Sequence, residues 1–374
     1  MRLHRASLRD FRNIVAADVE FPTQFVAFVG PNGQGKTNTL EALYFLFALR
    51  PLRSVPRRAL VREGADRAHL EASLTRRSTG LRHDLSVELG PRSRILQRDD
   101  KKVDTRAYVG TGVAVAFTPD DLSLGKGSPE RRRRFLDRAL LNLYPAHLDR
   151  ALRYQRALKD RNRLLTEGAG DAELDAYDEI IAGLGASLSC ARAKLVADLR
   201  PRVEAQFERI ARPAPSLTLR YAPSLKDALL PDAESDTKAA YLRELRNRRR
   251  RDRQRGSTSM GPHLDELDLS LDGQPVRERA SQGQFRALAL ALELAELTHL
   301  AEAWGEPPLL LLDDMSSELD RGRSRQLFDT VTHLDGQVVL TSTDAPEDLR
   351  RTLDLGDALS IVCVDGGTLS PESR

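Results

Sequence analysis

The chain is poor in the residues that staple, stack or anchor. In 374 residues it has two cysteines, one tryptophan and 5% aromatics. Cys190 and Cys363 lie far apart and belong to no CxxC or Cys/His cluster, which argues against a disulfide framework or zinc site and for a reducing cytoplasm. The histidines include no pair at helical spacing of three or four, so no histidine metal centre is expected. No run approaches the ~18 apolar residues of a membrane span, and the opening MRLHRASLRDFRN has no apolar signal core. A soluble chain with no membrane contact is expected. Aromatic-interleaved strands of the kind that stack unpaired bases are missing too, as are internal repeats at periods of roughly 20–50 residues.

What is present is charge, unevenly placed. The net charge is +3, but residues 121–260 carry 29 basic against 20 acidic residues, or +9, leaving −6 elsewhere. Within that basic stretch, RNRRRRDRQR supplies Arg246, Arg248, Arg249, Arg250, Arg251, Arg253 and Arg255, and RRRR fills Arg131 to Arg134. Such clusters read either as solvated helix faces or as a phosphate-contact surface for nucleic acid. The absence of stacking strands favours duplex phosphates over unpaired bases.

The length suits two or three domains. Residues 1–120 read as mixed α/β, with LHRASLRDFRNI, ADVEF, AHLEASL and HDLSVEL as strands. At Ser128-Pro129 a helical lobe begins, expected over 121–260, with Ser128 as N-cap and Pro129 at the first helical position. Leu148, Leu152, Leu158 and Leu165 mark one helix. Leu174, Tyr177, Ile181, Leu184, Leu188, Ala191 and Leu195 mark a second, with TEGAGD as the turn between them and Pro201 as the expected end of the hairpin. Residues 261–374 return to α/β character and complete the first domain.

FVAFVGPNGQGKTNTLEALYFLF, from Phe25 to Phe47, reads as strand, glycine turn and helix. That order makes a phosphate cradle, because glycine backbone can turn its N–H groups inward and a helix N-terminus carries partial positive charge. The expected nucleotide contacts are Gly30, Pro31, Asn32, Gly33, Gln34, Gly35, Lys36, Thr37 and Asn38. Lys36 reaches the β- and γ-phosphates, and Thr37 holds Mg²⁺. In LLLLDDMSSELD a buried strand delivers Asp313 as the second Mg²⁺ partner and Asp314 to orient the attacking water. A third piece, SQGQ, puts Ser281, Gly283 and Gln284 at a helix start, where hydroxyl, N–H and dipole can bind a phosphate.

The order GPNGQGKT, SQGQ, LLLLDD, SELD resembles the ABC-type ATPases. That resemblance implies an ATP-dependent dimer, with Ser281 completing the partner's site and Ser317 to Asp320 forming the D-loop at the interface. LRDFRNI, AFTPDDLSLGKGSPERRRRFLD, RGSTSMGPHLDEL and SQGQFRALALAL narrow this to a chain that looks like the RecF family, recombination mediators related to Rad50 and SMC proteins. The family implies binding of single-strand gaps and duplex junctions and, with RecR and RecO, promotion of RecA loading in a cytoplasmic, nucleoid-associated setting. Of its motif around RPLRS only Arg53 carries over, because Pro51 stands where the family has serine. Leu264 stands where it has arginine after GPH, so no contact is carried over there. With Asp314 in place of the glutamate of many relatives, and TSTD in place of a switch histidine, slow ATP hydrolysis is expected. The competing readings are the nucleotide-binding subunit of a membrane transporter and an ATP-gated protein scaffold. Against the first stand SQGQ in place of LSGGQ, the missing switch histidine and the basic insertion.

Overall fold

The computed structural model describes residues 1–53, 55–121, 124–211, 213–225, 234–314 and 321–372. The chain divides into two compact units, Met1–Leu122 with Leu292–Arg374, and Ser123–Ala291.

The first unit contains, among the described residues, two six-stranded sheets. One is antiparallel, in the order β2-β1-β4-β5-β6-β7, from β1 (Arg2–Phe11), β2 (Ile14–Glu20), β4 (Ala68–Thr75), β5 (Arg82–Leu89), β6 (Arg94–Arg98) and β7 (Lys101–Lys102). Its strands alternate buried and exposed residues, as expected when one face meets a core and the other water. The second runs β15-β14-β3-β13-β12-β8, from β3 (Phe25–Val29), β8 (Ala114–Phe117), β12 (Leu309–Leu312), β13 (Val338–Ser342), β14 (Leu359–Asp365) and β15 (Thr368–Pro371). From β14 to β8 the pairing is parallel, and β15 closes one edge antiparallel. The strands β3, β8, β12 and β13 are buried at every residue, which is why they read as unbroken apolar runs.

Helix α1 (Lys36–Ala48) belongs to one apolar cluster with residues of both sheets, including Leu8, Phe11, Val26, Leu70 and Leu311. A helix buried on most sides needs no polar face, and α1 has almost none. The short α2 (Thr105–Tyr108) is capped by Asp104, whose side chain accepts from the Ala107 N–H at 2.7 Å. Helices Arg321–His333 and Pro346–Leu353 also belong to this unit.

The second unit is the lobe. It holds α3 (Pro129–Leu143), α4 (His147–Glu167), α5 (Asp171–Ile210), α6 (Glu234–Arg255), α7 (Val276–Arg279) and the first part of α8 (Gln282–Trp304). Ser128 sits at the N-cap of α3 with extended backbone but makes no side-chain cap bond, and Pro129 takes the first turn. The α4 and α5 helices form the expected hairpin, with Gly168 in the left-handed conformation ending α4.

Three features of the lobe differ from expectation. Helix α5 runs through Pro201 to Ile210, because Val203 and Phe207 beyond the proline are buried and the helix packs on β9 (Leu217–Ala222). β9 pairs with β10 (Glu266–Leu271), which pairs with β11 (Gln274–Pro275), so the lobe owns a three-stranded sheet. That pairing holds residues after 261 in the lobe and moves the junction into α8, between Ala291 and Leu292. Helix α5 is also long and apolar enough to cross a membrane by length and composition, but 56% of its most apolar window is buried inside the protein. It reads as a core helix.

Candidate nucleotide site

The carboxyl ends of three parallel strands, β3, β12 and β13, build this site. Beyond β3 the chain turns at Gly30. A Cβ there would lie 2.2 Å from the Val364 carbonyl oxygen on β14, so only glycine admits the neighbouring strand. Gly35 has φ +115 and takes the N-cap of α1 with no capping side chain. No acidic side chain occupies the first turn of α1, so its N–H groups and dipole face the loop.

Lys36 folds back over the loop, its Nζ donating to the Gly30 oxygen at 2.7 Å and the Pro31 oxygen at 2.9 Å. Burial pushes its pKa below the ordinary lysine value, while Asp314 and Asp313 pull it upward. An ammonium held by two neutral carbonyls is suited to exchange them for phosphate oxygens, a stronger charge-assisted pairing.

From β12, Asp313 is 2% exposed. Its Oδ1 accepts from Thr37 Oγ1 at 2.7 Å and from Thr341 Oγ1 of β13 at 3.0 Å, and Arg53 approaches Oδ2 at 3.8 Å. Asp314 has φ 48, and its N–H donates to Thr341 Oγ1 at 2.8 Å. Thr341 thus fixes both aspartates at once. The hydroxyl of Thr37 and the carboxylate of Asp313 are oxygen donors at one point, a set that fits Mg²⁺, which takes few protein ligands and completes its shell with phosphate oxygen and water.

Sequence reading missed a second layer of contacts. The N–H of Gly366 donates to Gln34 Oε1 at 2.7 Å, and the N–H of Gly367 donates to the Gln34 carbonyl at 2.8 Å. Asn13, in the turn between β1 and β2, donates to that carbonyl at 3.2 Å and accepts from Asn38 Nδ2 at 2.7 Å. Gln34 and Asn38 are therefore tied to neighbouring turns, and Pro31, Asn32 and Gly33 form the exposed rim. The sequence Asp365-Gly366-Gly367 suits a turn, but nothing in sequence says which loop it meets.

Ser281, Gly283 and Gln284 belong to the lobe. The Ser281 N–H donates to Gln284 Oε1 at 2.8 Å, and the Gln284 N–H donates to Ser281 Oγ at 3.2 Å, a reciprocal cap at the start of α8. Asp320 and the rest of the D-loop lie outside the described residues.

The arginine cluster forms part of α6, and several of its members face carboxylates. Arg249 is 12% exposed and pairs with Asp175 and Asp178, each at 2.7 Å. Arg253 pairs with Asp171 at 2.8 Å, Arg248 with Glu244 at 3.2 Å and Arg246 with Asp175 at 3.4 Å. Arg250, Arg251 and Arg255 are exposed. In RRRR, Arg132 grips Glu266 with two nitrogens at 2.7 and 2.8 Å. The cluster thus holds the lobe together in part, rather than standing wholly free.

The family model for the RecF/RecN/SMC N terminal domain matches residues 2–349. A curated relative, DNA replication and repair protein RecF of Myxococcus xanthus (strain DK1622), is 44% identical over 348 residues, covering 92% of this chain and 91% of the relative. The chain belongs to the RecF family. The RecF of Anaeromyxobacter sp. (strain Fw109-5) is 41% identical over 376 residues, covering 99% of each chain. A solved structure of the recombination mediator protein RecF-ATP in the RecFOR pathway superposes with TM-score 0.89 at 25% identity, covering 100% of this chain and 98% of that one. An Smc head bound to the C-winged helix domain of ScpA matches at TM-score 0.55 and 14% identity, a likeness of fold alone. The expected ABC-type ATPase fold of the RecF and SMC class is the observed one, and RecF membership sets the transporter-subunit reading aside.

Proposed function

We propose that this RecF-family protein is an ATP-gated DNA-binding mediator of recombination. It binds ATP and Mg²⁺, dimerises on ATP, recognises single-strand gaps and duplex junctions, and with RecR and RecO helps to load RecA. The observation that carries the ATP part is the meeting of Thr37, Asp313 and Thr341 beside Lys36. The DNA and partner parts are supported by the family and by the RecFOR setting of the similar structure.

In this reading the α1 N-terminus and the loop N–H groups seat the phosphates, and Lys36 exchanges its two carbonyl partners for phosphate oxygens. Thr37 and Asp313 would hold Mg²⁺, which neutralises phosphate charge. Asp314, its backbone fixed by Thr341, orients the attacking water. Ser281 and Asp320 act across the dimer. Asp314 is one methylene shorter than glutamate, so turnover is slow and hydrolysis serves as a release step.

Binding of a fluorescent ATP analogue, paired with sedimentation of the same samples, tests this. Lys36→Met should lose ATP binding by about a hundredfold or more, and Ser281→Ala should keep ATP but stay monomeric. An ATP-dependent dimer of the Ser281 variant would remove that residue from the interface.

A further inference from the structure

Residues 50–106 carry 15 basic and 8 acidic side chains, or +7, whereas residues 261–374 carry 9 basic and 22 acidic, or −13. The positive segment opens with RPLRSVPRRALVR, five arginines from Arg50 to Arg62 with no acid among them. Three of the five have partners. Arg50 donates to Tyr44 Oη at 3.1 Å, Arg53 approaches Asp313, and Arg62 pairs with Asp10 at 2.6 Å.

Arg57 and Arg58 instead lie exposed in a short 3-10 turn, Arg57–Leu60. Beside them Arg94 donates to the Leu49 carbonyl at 3.2 Å and to Thr105 Oγ1 at 3.1 Å, joining the end of α1 to the start of α2. Arg92, in the turn before β6, and Arg106, on α2, are also exposed. Burial lowers the pKa of Arg94, and the nearby positive charge of Arg57 lowers it further, so these guanidiniums feel one another. Among the described residues, Arg57, Arg58, Arg92 and Arg106 make no ion pair.

Glu63 lines the same surface hollow as Arg58, and Asp104 caps the helix of Arg106, but the arginines outnumber these two carboxylates; like charges so gathered repel, and a polyanion relieves that repulsion while releasing its own counterions. Among the described residues, the exposed large apolar side chains of this unit are Val15 and Leu81, neither aromatic, so the surface they form offers charge without base stacking. We infer that Arg57, Arg58, Arg92 and Arg106 form a contact surface for the phosphate backbone of duplex DNA on the nucleotide unit, separate from the arginine helix of the lobe. This rests on the DNA-binding reading given above and locates a contact for it.

The test is fluorescence anisotropy of a labelled blunt duplex with ATP and Mg²⁺, from about 50 to about 200 mM salt. Arg57→Glu/Arg106→Glu should weaken binding about tenfold or more and flatten the plot of log affinity against log salt by about two. Circular dichroism and ATP affinity should match the wild type, because both residues lie at the surface. If the wild type binds and this variant matches it in affinity and slope, the surface is not a DNA contact. If ATP affinity falls in step with DNA affinity, the arginines serve the nucleotide and the inference is equally overturned. Wild-type protein that binds no duplex at the low-salt end would remove the DNA reading itself. An Arg250→Glu/Arg251→Glu variant on α6 should retain the salt contribution of the nucleotide-unit surface.

Discussion

At the centre of the nucleotide unit, Leu309, Leu310, Leu311 and Leu312 are buried on both sides of a parallel sheet. At similar depth in the lobe lies Arg161, fully buried, its Nε donating to Asp178 Oδ1 at 2.7 Å and its Nη1 to Asp252 Oδ2 and Thr258 Oγ1, each at 2.9 Å. A second buried group centres on Asp265, which accepts from Ser189 Oγ at 3.0 Å, from the Ser224 N–H at 2.7 Å and from Tyr221. The sheet at the centre of the nucleotide unit is held by apolar packing, which tolerates an apolar side chain of about the right volume. The core of the lobe is also held by directional pairs, which tolerate little but fix the registry of α4, α5 and α6.

Replacement at Arg161 should give the largest contrast. Arg161→Ala leaves two buried carboxylates short of a partner and should cost about 3–5 kcal/mol. Arg161→Lys should recover only part of this, since one ammonium cannot reproduce a fork that reaches Asp178 and Asp252 from different nitrogens. Leu311→Met, by contrast, should cost less than about 1.5 kcal/mol. Urea unfolding of the three variants decides the matter. A Lys variant as stable as wild type would mean that charge, and not guanidinium geometry, holds the lobe.

The same difference explains what could be read in advance. In the nucleotide unit, burial demands apolar strands, and phosphate binding demands glycine, lysine and threonine at fixed spacing, so Gly30 to Thr37 and Leu309 to Asp314 announce themselves. Thr341, Asn13 and Gly367 do not, because their roles depend on which turns the sheets bring together. In the lobe, Arg161, Asp178, Arg192 and Asp252 look like surface residues in sequence and are buried. Pro201 looks like a helix end, yet the apolar residues beyond it carry α5 onward. The density of arginine in α6 was plain, but its pairing with Asp171, Asp175 and Asp178 of α5 depends on tertiary contact.

A smaller effect should separate the arginines of α6 by pairing. Arg249 is nearly buried against Asp175 and Asp178, so Arg249→Ala should cost about 1.5–3 kcal/mol, the usual range for hydrogen bonds to charged groups. Arg250→Ala, at an exposed position, should stay within about 0.5 kcal/mol. Thermal unfolding of the pair ranks them. Equal losses would show that α6 is stabilised by its overall charge rather than by particular contacts with α5.

The smallest expected effect concerns Asp137, and it asks whether the lobe's ion pairs can be titrated away. Its Oδ1 and Oδ2 each accept from Arg192 at 2.9 Å, and His147 Nε2 lies 3.5 Å from Oδ1. Burial pushes the Asp137 carboxyl upward, but the nearby His147 ring and the Arg192 guanidinium outweigh it and hold its pKa below the ordinary 3.8. A carboxyl with a depressed folded pKa contributes stability that is fully present above 3.8 and is lost as the pH falls through the folded value. Asp137→Asn should therefore be less stable than wild type near neutral pH, and the gap should narrow as both are taken from about pH 7 to about pH 3. Urea midpoints across that range measure it. A gap that stays constant would mean that Asp137 contributes through shape and neutral hydrogen bonding, and that its charge is not what ties α3 to α5.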